Sequence, residues 1–211
     1  MVGQGVLREC LLDPAIDAVL TVGRSATGVK HAKLRELVCR DLTTYSEIEA
    51  ELGGFDACFF CLGVSSFGLS EAEYERLTFG LTMAAAETLA RLDPGLTFVY
   101  VSGAGTDSSE KGPVMWARVK GRTENALLRL PFKAAYMFRP AGILPMHGER
   151  SKTTAYRVAY LLAKPLFPLL RRAFPRYIVT SEELGRAMIR VARSGAAKRI
   201  LESSDIGACA R

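Results

Sequence analysis

The sequence predicts an α/β protein whose mainly parallel sheet is doubly wound by helices. Three observations carry the prediction. Short apolar runs alternate with segments of helical periodicity along the whole chain. One of those runs, Phe55 to Leu62, is apolar on both faces, as an interior parallel strand must be. Capping signals also stand before the helical segments, where orphan backbone N–H groups need partners. With 211 residues the chain fits one domain spanning 1–211, with 143–180 set apart as a substrate-side lid or insertion.

The elements follow in order. Gly3 and Gly5 open a helical pattern, Val6 to Leu12, that stops at Asp13-Pro14. Ala15 to Val22 reads as a strand ending at Gly23, and Leu37 to Leu42 as a second. Thr44 with Glu47 has capping-box spacing and Gly53 supplies a stop, which predicts a short helix between them. After the strand Phe55–Leu62, Ser70 with Glu73 opens a long helix to Leu92. Leu96 to Val101 is the next strand, followed by a glycine- and serine-rich loop from Ser102 to Gly112. A helix runs from Pro113, a residue suited to a first helical position, to Leu130. Ala134 to Arg139 is a strand closed by Pro140. Thr180 with Glu183 caps a helix whose Leu184, Ala187, Met188 and Val191 share one face, and Gly195 ends it. Lys198 to Glu202 is a last short strand. Ligands on such sheets bind beyond the carboxyl ends of the strands, so the loops after Val22, Leu42, Leu62, Val101 and Arg139 are the places to search.

Composition narrows the classes. About half the residues are hydrophobic and the formal charge is +6, but there is neither aromatic–basic interleaving nor zinc-finger spacing, so nucleic acid is not expected as a partner. The five cysteines lack framework spacing. Cys58 and Cys61 form a C-x-x-C, yet residues three apart on a strand point to opposite faces, which argues against a shared metal or disulfide. Two histidines offer no metal cluster. Free thiols, and a Met1 followed by polar and glycine residues rather than a basic and then apolar leader, lead to the expectation of a cytoplasmic protein. Between Tyr156 and Tyr177 apolar residues alternate with Lys164, Arg171, Arg172 and Arg176; this segment reads as a lid, a homodimer contact or a surface for anionic membranes.

The Gly-x-Gly before a helix, the strand ending in Gly23-Arg24, the strand ending in Asp41-Leu42 and the strand ending in Leu62-Gly63 together resemble the atypical and extended short-chain dehydrogenases. These are epimerase/dehydratase-like proteins with a Rossmann-type fold, and the nearest branch resembles the Tat-interacting-protein-like oxidoreductases. The resemblance covers nearly the whole chain. It implies a nicotinamide dinucleotide cofactor. In that group a Gly-x-x-Gly-x-x-Gly fingerprint joins the first strand to the first helix. Met1-Val2-Gly3 resembles its last third, which places the earlier glycines and the first strand upstream of Met1. Gly3 and Gly5 are then cofactor-binding candidates.

The resemblance further implies site residues. Arg24 stands where NAD-specific members carry an acid, so NADP is expected over NAD, with Lys30 or Lys33 assisting; the alternative is a solvated arginine. Asp41 and Leu42 resemble the adenine-contacting pair, or Asp41 is a turn residue; Leu62 and Gly63 approach the adenosine. Ser102 resembles the catalytic serine and Lys120 the lysine that holds the nicotinamide ribose. The catalytic tyrosine position is Trp116, whose indole N–H cannot act as a general acid. His147 is the candidate replacement acid, or a solvated loop residue; Tyr156 and Tyr160 are weaker ones. The functions that follow are an NADP-dependent oxidoreductase on a small carbonyl or hydroxyl compound, or a catalytically inactive nucleotide-binding sensor or assembly factor.

Overall fold

A computed structural model describes residues 1–149 and 176–211. The elements are α1 (Val2–Leu12), β1 (Val19–Gly23), β2 (Leu34–Val38), β3 (Ala57–Phe60), α2 (Glu71–Glu75), α3 (Leu81–Leu92), β4 (Thr97–Val101), α4 (Met115–Arg129), β5 (Ala134–Arg139), β6 (Gly142–Leu144), β7 (Ile178–Thr180), α5 (Ser181–Ser194), β8 (Ile200–Glu202) and α6 (Ser203–Cys209).

Four parallel strands lie in the order β3-β4-β5-β8, and two further parallel pairs, β1-β2 and β6-β7, stand beside them. The period of two along β4 and β5 divides the core between two layers. Phe98, Tyr100, Ala135 and Met137 face one layer, with Phe60, Leu96 and Leu127. Val99, Tyr136 and Phe138 face the other, with Val6, Leu184, Met188 and Leu201. Apolar burial on both faces is what a doubly wound parallel sheet requires. The predicted fold class is therefore the observed one. No backbone hydrogen bond joins the edges of β1 and β3 among the described residues, and α1 packs against both strands.

Local chemistry accounts for most boundaries. The Ser70/Glu73 and Thr180/Glu183 capping boxes both form, and Gly195 ends α5 at φ 74°, a left-handed value that suits glycine. The long helix expected from Ser70 to Leu92 is present but passes through one turn of π-helix, Arg76–Gly80.

Several expectations are corrected. The second strand lies at Leu34–Val38 rather than Leu37–Leu42. The Thr44/Glu47 helix is replaced by a single 3₁₀ turn, Glu49–Glu51, because the Thr44 hydroxyl meets Ser46 and the buried Leu42, Tyr45 and Leu52 tie the segment to the core. The strands β6 and β7 and the helix α6 were not foreseen. Most of the 143–180 segment, with Tyr156 and Tyr160, lies outside the described residues. Among the described residues no helix is long and apolar enough to cross a membrane.

Candidate functional site

The carboxyl ends of β3, β4 and β5 form one edge, and the side chains of highest chemical interest converge at β4 and β5. Ser102 directly follows β4, its backbone N–H donating to the Phe138 carbonyl at 2.8 Å. Lys120 reaches it from α4: its Nζ donates to the Ser102 carbonyl at 2.7 Å and lies 6.0 Å from the ring centroid of Tyr100. Burial pushes the Lys120 ammonium down to about 8, with the Glu124 charge opposing the shift. The sequence thus placed Ser102 and Lys120 on one site, and the structure brings them into contact.

Trp116 lies one turn before Lys120 on α4. A Cβ added at Gly105 would sit 3.4 Å from its indole, so the ring packs against a glycine held at φ +83°. An indole in van der Waals contact with the loop supplies shape and no exchangeable acid.

Beneath this surface lies a feature that sequence reasoning missed. Glu124, fully buried, stands one turn after Lys120. Its carboxylate accepts from the Ser102 hydroxyl and from Arg139, whose Nε and terminal nitrogen reach it at 3.0 and 2.5 Å. Arg139, the last residue of β5, also donates to the Ser108 hydroxyl at 2.6 Å and approaches Glu202 at 3.5 Å. Arg139, through two ion pairs and a hydrogen bond, therefore ties α4, β5, β8 and the loop after β4 into a single unit. An arginine ending an otherwise apolar strand, with a glutamate four residues after the lysine, was the available signal.

The loop itself rests directly on α4. The Asp107 backbone N–H donates to the Ala117 carbonyl at 3.1 Å, and Asn125 donates to the Ser108 carbonyl at 3.0 Å. The Asp107 carboxylate accepts from Ser109 and from the Gly112 N–H, which holds it below the usual carboxylate range, the Ser109 hydroxyl contributing most. Gly121 permits the approach: a Cβ there would fall 1.7 Å from the Asp107 carbonyl oxygen.

The other candidates are dispersed. Arg24 is exposed just past β1 and has no ion-pair partner among the described residues, whereas Lys33 donates to the Asp13 carbonyl at 2.8 Å. Asp41 is exposed and accepts from the Thr43 hydroxyl and N–H, which lower its pKa; Leu42 is buried in the core. Leu62 and Gly63 are exposed after β3. Gly3 and Gly5 lie inside α1 rather than before it. Gly5 is a packing glycine, since a Cβ there would come within 2.8 Å of Ser181 on α5. His147 is 3.4 Å from Glu182, and its backbone N–H donates to Glu149; no hydrogen bond links it to Ser102 or Lys120. Cys58 and Cys61 are free thiols that burial pushes up to about 12, consistent with inert side chains.

A nicotinamide dinucleotide fits this donor set. Lys120 and Arg24 supply cations, and the first turn of α1 holds no acidic side chain to repel a pyrophosphate.

Comparison with known proteins agrees with the fold. No family profile matches the chain. It is 28% identical over 87% of its length to the mitochondrial protein FMP52 of Meyerozyma guilliermondii, spanning 76% of that protein. It is 30% identical over 71% of its length to mitochondrial FMP52-2 of Scheffersomyces stipitis, spanning 64% of that protein. These names overturn the expectation of a cytoplasmic protein, which rested on free thiols and the residues after Met1. Among solved structures, the ADP-L-glycero-D-manno-heptose-6-epimerase of Helicobacter pylori superposes with TM-score 0.69 at 13% identity, covering 96% of this chain and 73% of the epimerase. The Bordetella bronchiseptica enzyme WbmF, solved with NAD+, gives 0.65 at 14% identity over 98% of this chain and 73% of WbmF. The architecture is that of the Rossmann-like epimerases.

Proposed function

We propose that the chain binds a nicotinamide dinucleotide along the carboxyl ends of its strands, NADP in preference to NAD, and acts as a nucleotide-binding sensor or assembly factor. The observation that carries this reading is the pairing on α4: Lys120 is fixed at the end of β4, while the position one turn earlier holds Trp116 against Gly105. Binding groups are kept and the proton donor is not. Support for the cofactor comes from WbmF, whose structure contains NAD+, and support for NADP comes from the exposed Arg24.

When bound, the dinucleotide would supply hydride chemistry. This chain's own contribution is Lys120 as a cation toward the ribose, Arg24 toward a 2′-phosphate, and Trp116 as a wall that excludes water. The names of the curated relatives favour a mitochondrial setting and an FMP52-like lineage over the Tat-interacting-protein-like branch.

A second reading, an NADP-dependent oxidoreductase on a small carbonyl or hydroxyl compound, is favoured by the contact between Lys120 and Ser102. Comparison of the unmodified chain with Trp116→Tyr separates the two. Under the binding-protein reading the variant gains turnover of carbonyl compounds with NADPH that the parent lacks. Turnover by the unmodified chain would overturn it in favour of the enzyme.

A further inference from the structure

We propose that Glu124 is a positioning residue that turns the Ser102 hydroxyl inward, so that the site presents an acceptor and selects ligands bearing a hydroxyl over their carbonyl counterparts. The inference rests on the reading of the carboxyl edge as a ligand site, and it names the ligand chemistry of that site.

Hydrogen-bond bookkeeping around one oxygen carries the argument. A serine hydroxyl has one proton and two lone pairs. Among the described residues, both contacts of Ser102 Oγ are made as a donor: to the Glu124 carboxylate and, at 3.3 Å, to the Phe138 carbonyl. Neither partner has a proton to return. Glu124 is fully buried and its oxygens already accept from the Arg139 guanidinium at 2.5 to 3.2 Å, which holds the carboxylate in place. Ser102 itself is only half-buried, at the carboxyl end of β4. What it offers to a ligand is therefore lone pairs. The Lys120 ammonium beside it already spends a proton on the Ser102 carbonyl. A ligand carbonyl meeting Ser102 Oγ would set acceptor against acceptor, while a hydroxyl would donate into it.

The test uses a shape-matched pair, cyclohexanol and cyclohexanone, with dissociation constants read by ligand-observed NMR. The unmodified chain should hold the alcohol roughly fivefold more tightly, the worth of one ordinary hydrogen bond. Ser102→Ala should bring the ratio close to one. Glu124→Gln should lower it. Its carboxamide oxygen can still accept from Arg139 while its N–H₂ donates to Ser102 Oγ, which takes up a lone pair and leaves the hydroxyl proton to the Phe138 carbonyl or the ligand. If Glu124→Gln does not fold, Ser102→Ala decides alone. Equal or tighter binding of the ketone by the unmodified chain overturns the proposal, as does no binding of either probe or an unchanged ratio in Ser102→Ala. NADPH titration of the same sample is read separately. NADPH binding without alcohol preference defeats this inference and leaves the dinucleotide reading standing; alcohol preference without NADPH binding does the reverse.

Discussion

Gly121→Ala should destabilise this protein, although the same change in an ordinary helix stabilises it. In a helix interior alanine is favoured over glycine by about 1 kcal/mol. At Gly121 the new Cβ would lie 1.7 Å from the Asp107 carbonyl oxygen and 2.5 Å from its carbon, and the obstacle is backbone rather than a flexible side-chain tip. The loop must retreat from α4. Retreat loosens three bonds that now hold it: Asp107 N–H to Ala117, Asn125 to the Ser108 carbonyl, and Arg139 to the Ser108 hydroxyl. At about 1 kcal/mol net for each bond, the loss exceeds the propensity gain by about 2 kcal/mol. For a chain of this size that corresponds to a fall in Tm of roughly 4–8 °C. The control is Gly207→Ala in α6, where a Cβ meets nothing within 4 Å and a neutral or raised Tm is expected. Thermal unfolding followed by circular dichroism reads both. An unchanged or raised Tm for Gly121→Ala would refute the close packing of the loop on the helix.

Two further outcomes follow from the site. Lys120 has its folded pKa depressed to about 8, so above that pH the site loses a cation and dinucleotide affinity should decline. The unfolded chain keeps this proton up to the ordinary lysine range, so it binds more protons there and the Lys120 contribution makes stability rise with pH from about 8 to about 10.5. Lys120→Met should flatten both profiles, measured by titration and by thermal unfolding across pH. Arg24→Glu should lower NADPH affinity roughly tenfold or more while leaving NADH affinity unchanged or raised, since a charged hydrogen bond is worth about 1.5–3 kcal/mol and an acid there can accept from the ribose 2′-hydroxyl. Equal losses for both nucleotides would remove Arg24 from the 2′-phosphate.

Where local chemistry decides, the sequence was readable. Ala134–Arg139 appears at the boundaries its pattern indicates, and both Ser70/Glu73 and Thr180/Glu183 close their capping boxes. The Thr44/Glu47 spacing looks the same in one dimension. There, however, the burial of Leu42 and Tyr45 outweighs any helical preference. At the site, Ser102 and Lys120 could be found because their order along the chain carries a resemblance. Glu124 and Arg139 left only a weak signal, because a glutamate in a helix and an arginine at a strand end are ordinary until the fold joins them across 15 residues. Gly5 shows the reverse error. A glycine near a helix start suggests a phosphate loop, but here it makes room for Ser181 on a helix far along the chain.

The central claim is that the carboxyl edge beside Trp116 holds a nicotinamide dinucleotide. Trp116 is the one tryptophan in the sequence, which makes its fluorescence a direct reporter of that edge. Titration with NADPH should quench it saturably, with NADH requiring higher concentrations. No quenching and no binding of either nucleotide would contradict the account.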